Sequence, residues 1–258
     1  TATDTPGGDA RFGTWGKQKC EDTGPLTKKR METIDEEFLG ASIDFIGRAS
    51  RDKTPFFAWF NPSRMHIWTR LKPESQGKTG FGIYPDGMME HDGQVGQLLK
   101  ALDDLGIANN TIVIYTTDNG AETFSWPDGG LTPFRGEKNT NWEGGYRVPA
   151  LVRWPGLMPP RTEINDIFSA EDWVTTLVAA AGEPDVKNKL LQGYNAAGKT
   201  FTVHLDGYDQ RDLLARMGPN KRREFFYWTD DGSVAALGAG GRAHLRLVGL
   251  VGAHSVPL

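Results

Sequence analysis

One cysteine, Cys20, is all that the 258 residues offer in thiol chemistry. That scarcity excludes an internal disulfide framework and any cysteine-rich zinc site. Long apolar runs are missing too, with no window near the roughly 18 to 20 residues a helix needs to cross a bilayer. There is no excess of positive charge: 29 Lys and Arg stand against 33 Asp and Glu, a net −4, and the bases are scattered among acids. Nothing in that balance favours nucleic acid. The strings GxSxG, HExxH, GxGxxG and GxxxxGK[ST] do not occur, which removes the nucleophile-elbow, zincin, dinucleotide and P-loop chemistries. No fixed-period repeat is visible. The opening TATDTPGGDARFG has neither an initiator Met nor a charged, apolar leader, and it predicts a removed signal or a longer parent chain.

What is present is a globular composition, 38% hydrophobic and 24% charged, sized for one large domain or one domain with a small appendage. Residues 1–27, rich in Gly, Pro, Thr and charge, read as a loop or extended arm. From Lys28 to Arg51 the apolar residues Met31, Ile34, Phe38, Phe45, Ile46 and Ala49 recur at helical spacing. TPFFAWFNPS, residues 54–63, predicts a short aromatic strand stopped by Pro62. A helical stripe runs from Pro85 to Leu105, with Gly106 where a helix would stop. Apolar strands are predicted at 111–117 and 148–156, and Ser169 with Asp172 predicts a capping box for a helix through Ala181. REFFYWT, 223–229, is the last clear strand, and residues 233–258 form an atypical Gly- and Ala-rich tail. Helix and strand alternate, which predicts an α/β layered fold with a mainly parallel sheet flanked by helices. The few strands visible predict a partial sheet with an exposed edge, which either a homodimer covers or a rearranged sheet removes.

Two stretches carry chemistry. The run TIVIYTTDNGAE ends an apolar strand in Asp118, Asn119 and Gly120. Ligands gather beyond the carboxyl ends of strands in α/β sheets, and a carboxylate beside an amide oxygen suits a hard cation, Ca²⁺ or Mg²⁺. An ordinary Asx turn is the plain alternative. The second stretch, TPFRGEKNTNWEGGYRVPALVRWPG (132–156), carries Lys138 on a glycine-punctuated loop, where it could meet a sulfate or phosphate as a point charge. The alternative there is a solvated loop with paired charges. His66 follows the strand expected at 54–63 and could donate to an anion or transfer a proton, although a lone histidine is more often structural or exposed.

The strings YPDGMMEHDGQVGQLLKALDDLGIANNTIVIYTTDNG and TPFRGEKNTNWEGGYRVPALVRWPG resemble the sulfatase family of the alkaline-phosphatase-like superfamily, bacterial arylsulfatases in particular. The resemblance runs from about Gly16 to Asp231. It implies a sulfatase-like core over 28–182, the start of a C-terminal subdomain over 183–232, and a small-molecule sulfate ester as substrate. It implies that Asp118 and Asn119 are a pair of Ca²⁺ ligands, with Mg²⁺ the alternative. Lys138 is then a sulfate contact and His66 a sulfate-side histidine, while Arg135, Glu143 and Arg147 fix the loop. The family's nucleophile is a formylglycine made from Cys or Ser in C/S-x-P-x-R. That string is absent, and Cys20 lies in KQKCEDTGPL, which does not match it. The family's first, consecutive aspartate pair and its N-terminal Lys–His pair are absent as well. The expectation is therefore a sulfuric ester hydrolase by descent, whose nucleophile this chain does not supply. A non-catalytic remnant or interaction protein, a phosphate-ester hydrolase, or a carboxylic-ester hydrolase using Ser63 or Ser125 with His66 are the alternatives. Many bacterial members are exported, so a periplasmic or secreted location is expected.

Overall fold

The computed structural model describes residues 22–196 and 198–228, together with short strands within 3–20 and one at 234–238. The chain divides into two compact units, Thr1–Leu98 and Leu99–Leu258.

In the first unit, β1 (Thr3–Thr5) pairs antiparallel with β4 (Gln18–Cys20), and β2 (Gly8–Asp9) with β3 (Gly13–Thr14). A 3₁₀ turn at Arg30–Glu32 leads into α1 (Ile34–Arg51). Of the apolar stripe read from the sequence, Ile34, Ile46 and Ala49 are buried, together with Leu39, whereas Phe38 and Phe45 remain 42% and 41% exposed. Asp35, Glu36 and Glu37 lie in the first turn and Arg48 and Arg51 in the last, the order that complements the helix dipole.

Residues 54–63 depart from expectation. They run with no turn or bend, yet join no ladder. A strand exists only through its neighbour's hydrogen bonds, and no described segment supplies them. A loop then leads to α2 (Ile83–Asp104), the helix predicted over 85–105. Gly106, at φ 69°, ends it. The amide of Ile107 reaches the Leu102 carbonyl at 3.0 Å and that of Gly106 the Asp103 carbonyl at 2.9 Å, the paired bonds of a Schellman motif.

In the second unit, β5 (Val113–Thr116) pairs antiparallel with β6 (Ala150–Arg153), the register setting Thr116 opposite Ala150 and Val113 opposite Arg153. The connection between them contains α3 (Glu143–Tyr146). Both strands predicted from apolar runs form, but they are only half-buried, with Leu151 66% exposed. No described element layers over that side chain. α4 (Ala170–Ala180) follows, then α5 (Val186–Gln192), the hairpin β7 (Tyr194–Ala196) and β8 (Lys199–Phe201), and α6 (Arg211–Leu214). β9 (Glu224–Trp228) pairs antiparallel with β10 (Val234–Gly238). The rest of the expected tail, 239–258, lies outside the described residues.

All five pairs among the described residues are two-stranded and antiparallel. Parallel pairing needs a crossover that sets the next strand alongside the first. The strand candidate at 54–63 finds no such neighbour.

Polar side chains dominate the deepest positions: Asp35, Asp172, Thr175, Thr176 and Gln210 are among the most buried. The capping residue Asp172 does more than the sequence shows. Its carboxylate accepts the Ser169 amide at 3.1 Å, the Tyr208 amide at 2.8 Å, and the Nε and Nη2 of Arg222 at 2.9 Å each. Gln210 and Asn220 extend this network at 2.8 Å, and Asn220 donates to the Ile167 carbonyl at 2.7 Å. A buried charge is tolerated only when paired and hydrogen-bonded, and Asp172 is both.

Candidate functional site

Beyond Thr116, β5 runs out into Thr117, Asp118, Asn119 and Gly120. Three chain segments meet at that point. The Gly120 amide donates to the Gly145 carbonyl at 2.9 Å, the Lys138 amide to the Ala121 carbonyl at 2.9 Å, and the Gly144 amide to the Arg135 carbonyl at 2.7 Å. The contact is close enough to demand glycine. A Cβ on Gly120 would stand 1.8 Å from the Gly144 carbonyl oxygen, and one on Gly144 would stand 2.2 Å from that of Gly136. Asp118, Asn119 and Lys138 are therefore carried on one backbone framework, which the structure brings together.

Most other charged groups of the 132–149 segment are engaged within the loop. Arg147 pairs with Glu143 at 2.5 Å and lies 4.1 Å over the Phe134 ring, and Arg135 sits 3.7 Å over Trp142. Glu137, a residue the sequence reading passed over, accepts both the amide and the hydroxyl of Thr123 at 2.6 Å. Those two donors hold its carboxyl below the usual carboxylate range. It ties the outgoing limb of the connection, at Thr123, to the returning one.

Asp118 and Lys138 differ from these neighbours. Asp118 is exposed, and among the described residues its carboxylate accepts no hydrogen bond and joins no ion pair. An Asx turn would have used that carboxylate to bind a backbone amide. Asn119 is half-buried; its Nδ2 donates to the Gly120 carbonyl at 2.8 Å, which leaves the side-chain oxygen as a donor for a cation. Lys138 is half-buried, and its ammonium makes no ion pair among the described residues. One carboxylate and one amide oxygen fit part of an oxygen-donor cage for a divalent cation. They do not complete one: no cluster of three or more His, Cys, Asp or Glu suited to a metal occurs among the described residues.

His66 belongs to the first unit. It is exposed, with Nδ1 3.1 Å from the Ile67 carbonyl oxygen. Its loop rests on a buried ionic hub that sequence reasoning missed. Asp35 accepts the Ser63 amide at 2.7 Å and the Arg64 amide at 3.1 Å. The Arg64 side chain lies 3.3 Å from Asp35 and 2.8 Å from Glu90. Asp35 and Arg64 stand 29 positions apart, and no local pattern marks them as partners.

The family model named Sulfatase matches residues 7–183. The chain is 33% identical to human arylsulfatase A over 196 residues, covering 76% of this chain and 36% of that protein. It is 31% identical to human N-acetylgalactosamine-6-sulfatase over 214 residues, covering 80% and 41%. Among solved structures, the PsFucS1 sulfatase from Pseudoalteromonas sp. superposes with a TM-score of 0.73 at 28% identity, over 84% of this chain and 41% of that one. The partial alkaline-phosphatase-like α/β fold expected from the sequence is thus present. The chain spans about two fifths of the length of the curated relatives it matches. By family model, sequence and fold alike, it belongs to the sulfatase family.

Proposed function

We propose that this chain contributes the anion-recognising side, and part of the metal-binding side, of a hydrolase of sulfate esters, with aryl sulfates the favoured class. One observation carries the reading: Asp118 and Lys138, an acid and a base with no partner among the described residues, are held on the same glycine-tight framework. Asp118 and Asn119 would hold a divalent cation through hard oxygens, and calcium suits such flexible, exposed ligation better than magnesium. When bound, that cation supplies Lewis-acid polarisation of the ester. Lys138 places a positive charge against a sulfate oxygen and offsets charge developing on the leaving group. For His66, on the first unit, the family resemblance suggests a role as anion donor or proton-transfer group.

The C/S-x-P-x-R string is not among the 258 residues, so the nucleophile must come from outside them. The chain by itself is expected to bind metal and anion rather than to turn over. The test combines calcium titration by calorimetry with turnover of p-nitrophenyl sulfate, chromogenic phosphate and acetate esters alongside, each with calcium and with EDTA. Calcium binding lost in the doubly substituted Asp118→Ala, Asn119→Ala chain, with no sulfate turnover, is the expected result. Calcium binding that ignores both substitutions would remove the basis of the reading, and turnover of an acetate ester alone would move the protein to another chemistry.

A further inference from the structure

The loop that carries Lys138 turns back on itself at that residue. The Thr140 amide donates to the Glu137 carbonyl at 3.1 Å, and the Thr140 hydroxyl to the same oxygen at 2.7 Å, which closes residues 137–140 into a β-turn. Asn139 sits at its third position with φ 67°, a conformation that asparagine tolerates better than most residues. Lys138 therefore stands at a corner of the turn, and the direction of its stem follows from how the turn is held.

Two fastenings hold the turn to the limb that leaves Asp118 and Asn119. The Lys138 amide donates to the Ala121 carbonyl at 2.9 Å. Further along that limb, the Thr123 amide and hydroxyl both donate to the Glu137 carboxylate at 2.6 Å. A single hydrogen bond is a pivot about which a turn can swing, and a second one set apart from it fixes the orientation. Bonds to a carboxylate are also the stronger kind. The Thr123 hydroxyl and amide, with the Phe124 amide adding to them, hold the Glu137 carboxyl below its usual range, so it stays an ionised acceptor at neutral pH. Engaged in this way, the carboxylate does not compete with an anion for the neighbouring ammonium. The Gly120–Gly145 and Lys138–Ala121 fastenings are made by backbone. That of Glu137 is made by a side chain, so the residue type at 137 decides whether it exists.

We infer that Glu137 is a positioning residue for the anion site: latched to Thr123, it holds the turn 137–140 so that the Lys138 ammonium is set against an anion bound beside Asp118 and Asn119. The inference rests on the reading of Lys138 as a sulfate contact. It assigns no contact between the Glu137 carboxylate and either metal or anion.

The test is calorimetric titration of the 258-residue chain with inorganic sulfate in the presence of calcium. Wild type is compared with Lys138→Ala, Glu137→Ala, Glu137→Gln and the double variant Glu137→Ala, Lys138→Ala. Hydrogen exchange of the Lys138 amide, followed by NMR, reads the latch itself with no ligand present. Glu137→Ala should speed that exchange by about tenfold and weaken sulfate binding by about tenfold. The sign separates positioning from charge, because removing a negative group near an anion would otherwise tighten sulfate binding. Glu137→Gln keeps an oxygen that Thr123 can reach and should bind sulfate at least as tightly as wild type. In the double variant, the loss should be no greater than in Lys138→Ala alone, since Glu137 acts through that lysine. Damage that is merely structural would add in both backgrounds. Unchanged exchange in Glu137→Ala, sulfate binding unchanged or tightened there, a Gln variant no better than the Ala variant, or a full second loss in the double variant would each overturn the inference and leave the role of Lys138 standing. Sulfate binding that ignores Lys138→Ala would overturn the reading of the lysine, and the inference with it.

Discussion

Replacing Gly120 with alanine adds one methyl group at the tightest backbone contact of the site. The added carbon would lie 1.8 Å from the Gly144 carbonyl oxygen and 2.9 Å from its carbon. No side chain can swing aside, because the obstacle is main chain. The two segments must part by more than an ångström, and that movement breaks the 2.9 Å bond from the Gly120 amide to the Gly145 carbonyl. Overpacking of this kind costs about 1–3 kcal/mol, and the lost hydrogen bond about 1 kcal/mol. The sum is about 2–4 kcal/mol, or a fall of about 0.7–4 M in the urea midpoint at a slope of about 1–3 kcal/mol/M. Gly93 in α2 is the control. A Cβ there meets nothing within 4 Å, so Gly93→Ala should stabilise by up to about 1 kcal/mol through helix propensity alone. Urea unfolding followed by tryptophan fluorescence reads both variants, and calcium titration follows the site in the first. A Gly120→Ala chain as stable as wild type, with undiminished calcium uptake, would refute the account of how Asp118 and Asn119 are held.

Two further outcomes follow from buried charge. Arg222→Met leaves the fully buried Asp172 without its counter-charge and should cost about 3–5 kcal/mol in urea unfolding. Adding Asp172→Asn to that variant should recover part of the loss. The buried His91 on α2 is held below its ordinary pKa by burial, against the upward pull of Asp35 and Asp92 and with Arg64 adding to the fall. The folded state therefore favours the neutral ring. Its contribution is present above the unfolded value of about 6.5 and is lost as pH falls through the lower folded value. Stability measured from pH 7 to 5 should decline in wild type and decline less in His91→Gln.

Which features were legible follows from how far apart their partners lie. The stop of α2 at Gly106 could be read because a Schellman motif is built from adjacent residues. Asp118 and Asn119 could be read because an apolar strand ends beside them. Asp172 was recognisable as a cap to Ser169, three residues away, but Tyr208 and Arg222, which make it a hub, lie 36 and 50 positions on. The Asp35–Arg64–Glu90 cluster beneath the His66 loop is hidden for the same reason, since its members share neither a period nor a motif. Residues 54–63 have the composition of a strand, and that composition states what the segment would do beside a neighbour, not whether a neighbour is there. The close approach of Gly120 to Gly144 had only a faint signal, the doubled glycine at 144–145.

The pairing of Thr116 with Ala150 closes everything from residue 117 to 149 into a loop at its root. The bonds between Gly120 and Gly145, Lys138 and Ala121, and Gly144 and Arg135 then divide that loop into smaller rings near its base. The stretch around 124–133 lies beyond the last of these fastenings, with Phe124 at 91% exposure and Trp126 half-buried. Closing a flexible loop of twice the length costs only about 0.6 kcal/mol more. The tip can therefore lengthen at little entropic cost, while the residues that would meet metal and anion stay where they are. Variation in what the loop reaches and constancy in what its base holds are separable in this chain, and mutation can explore the first without spending the second.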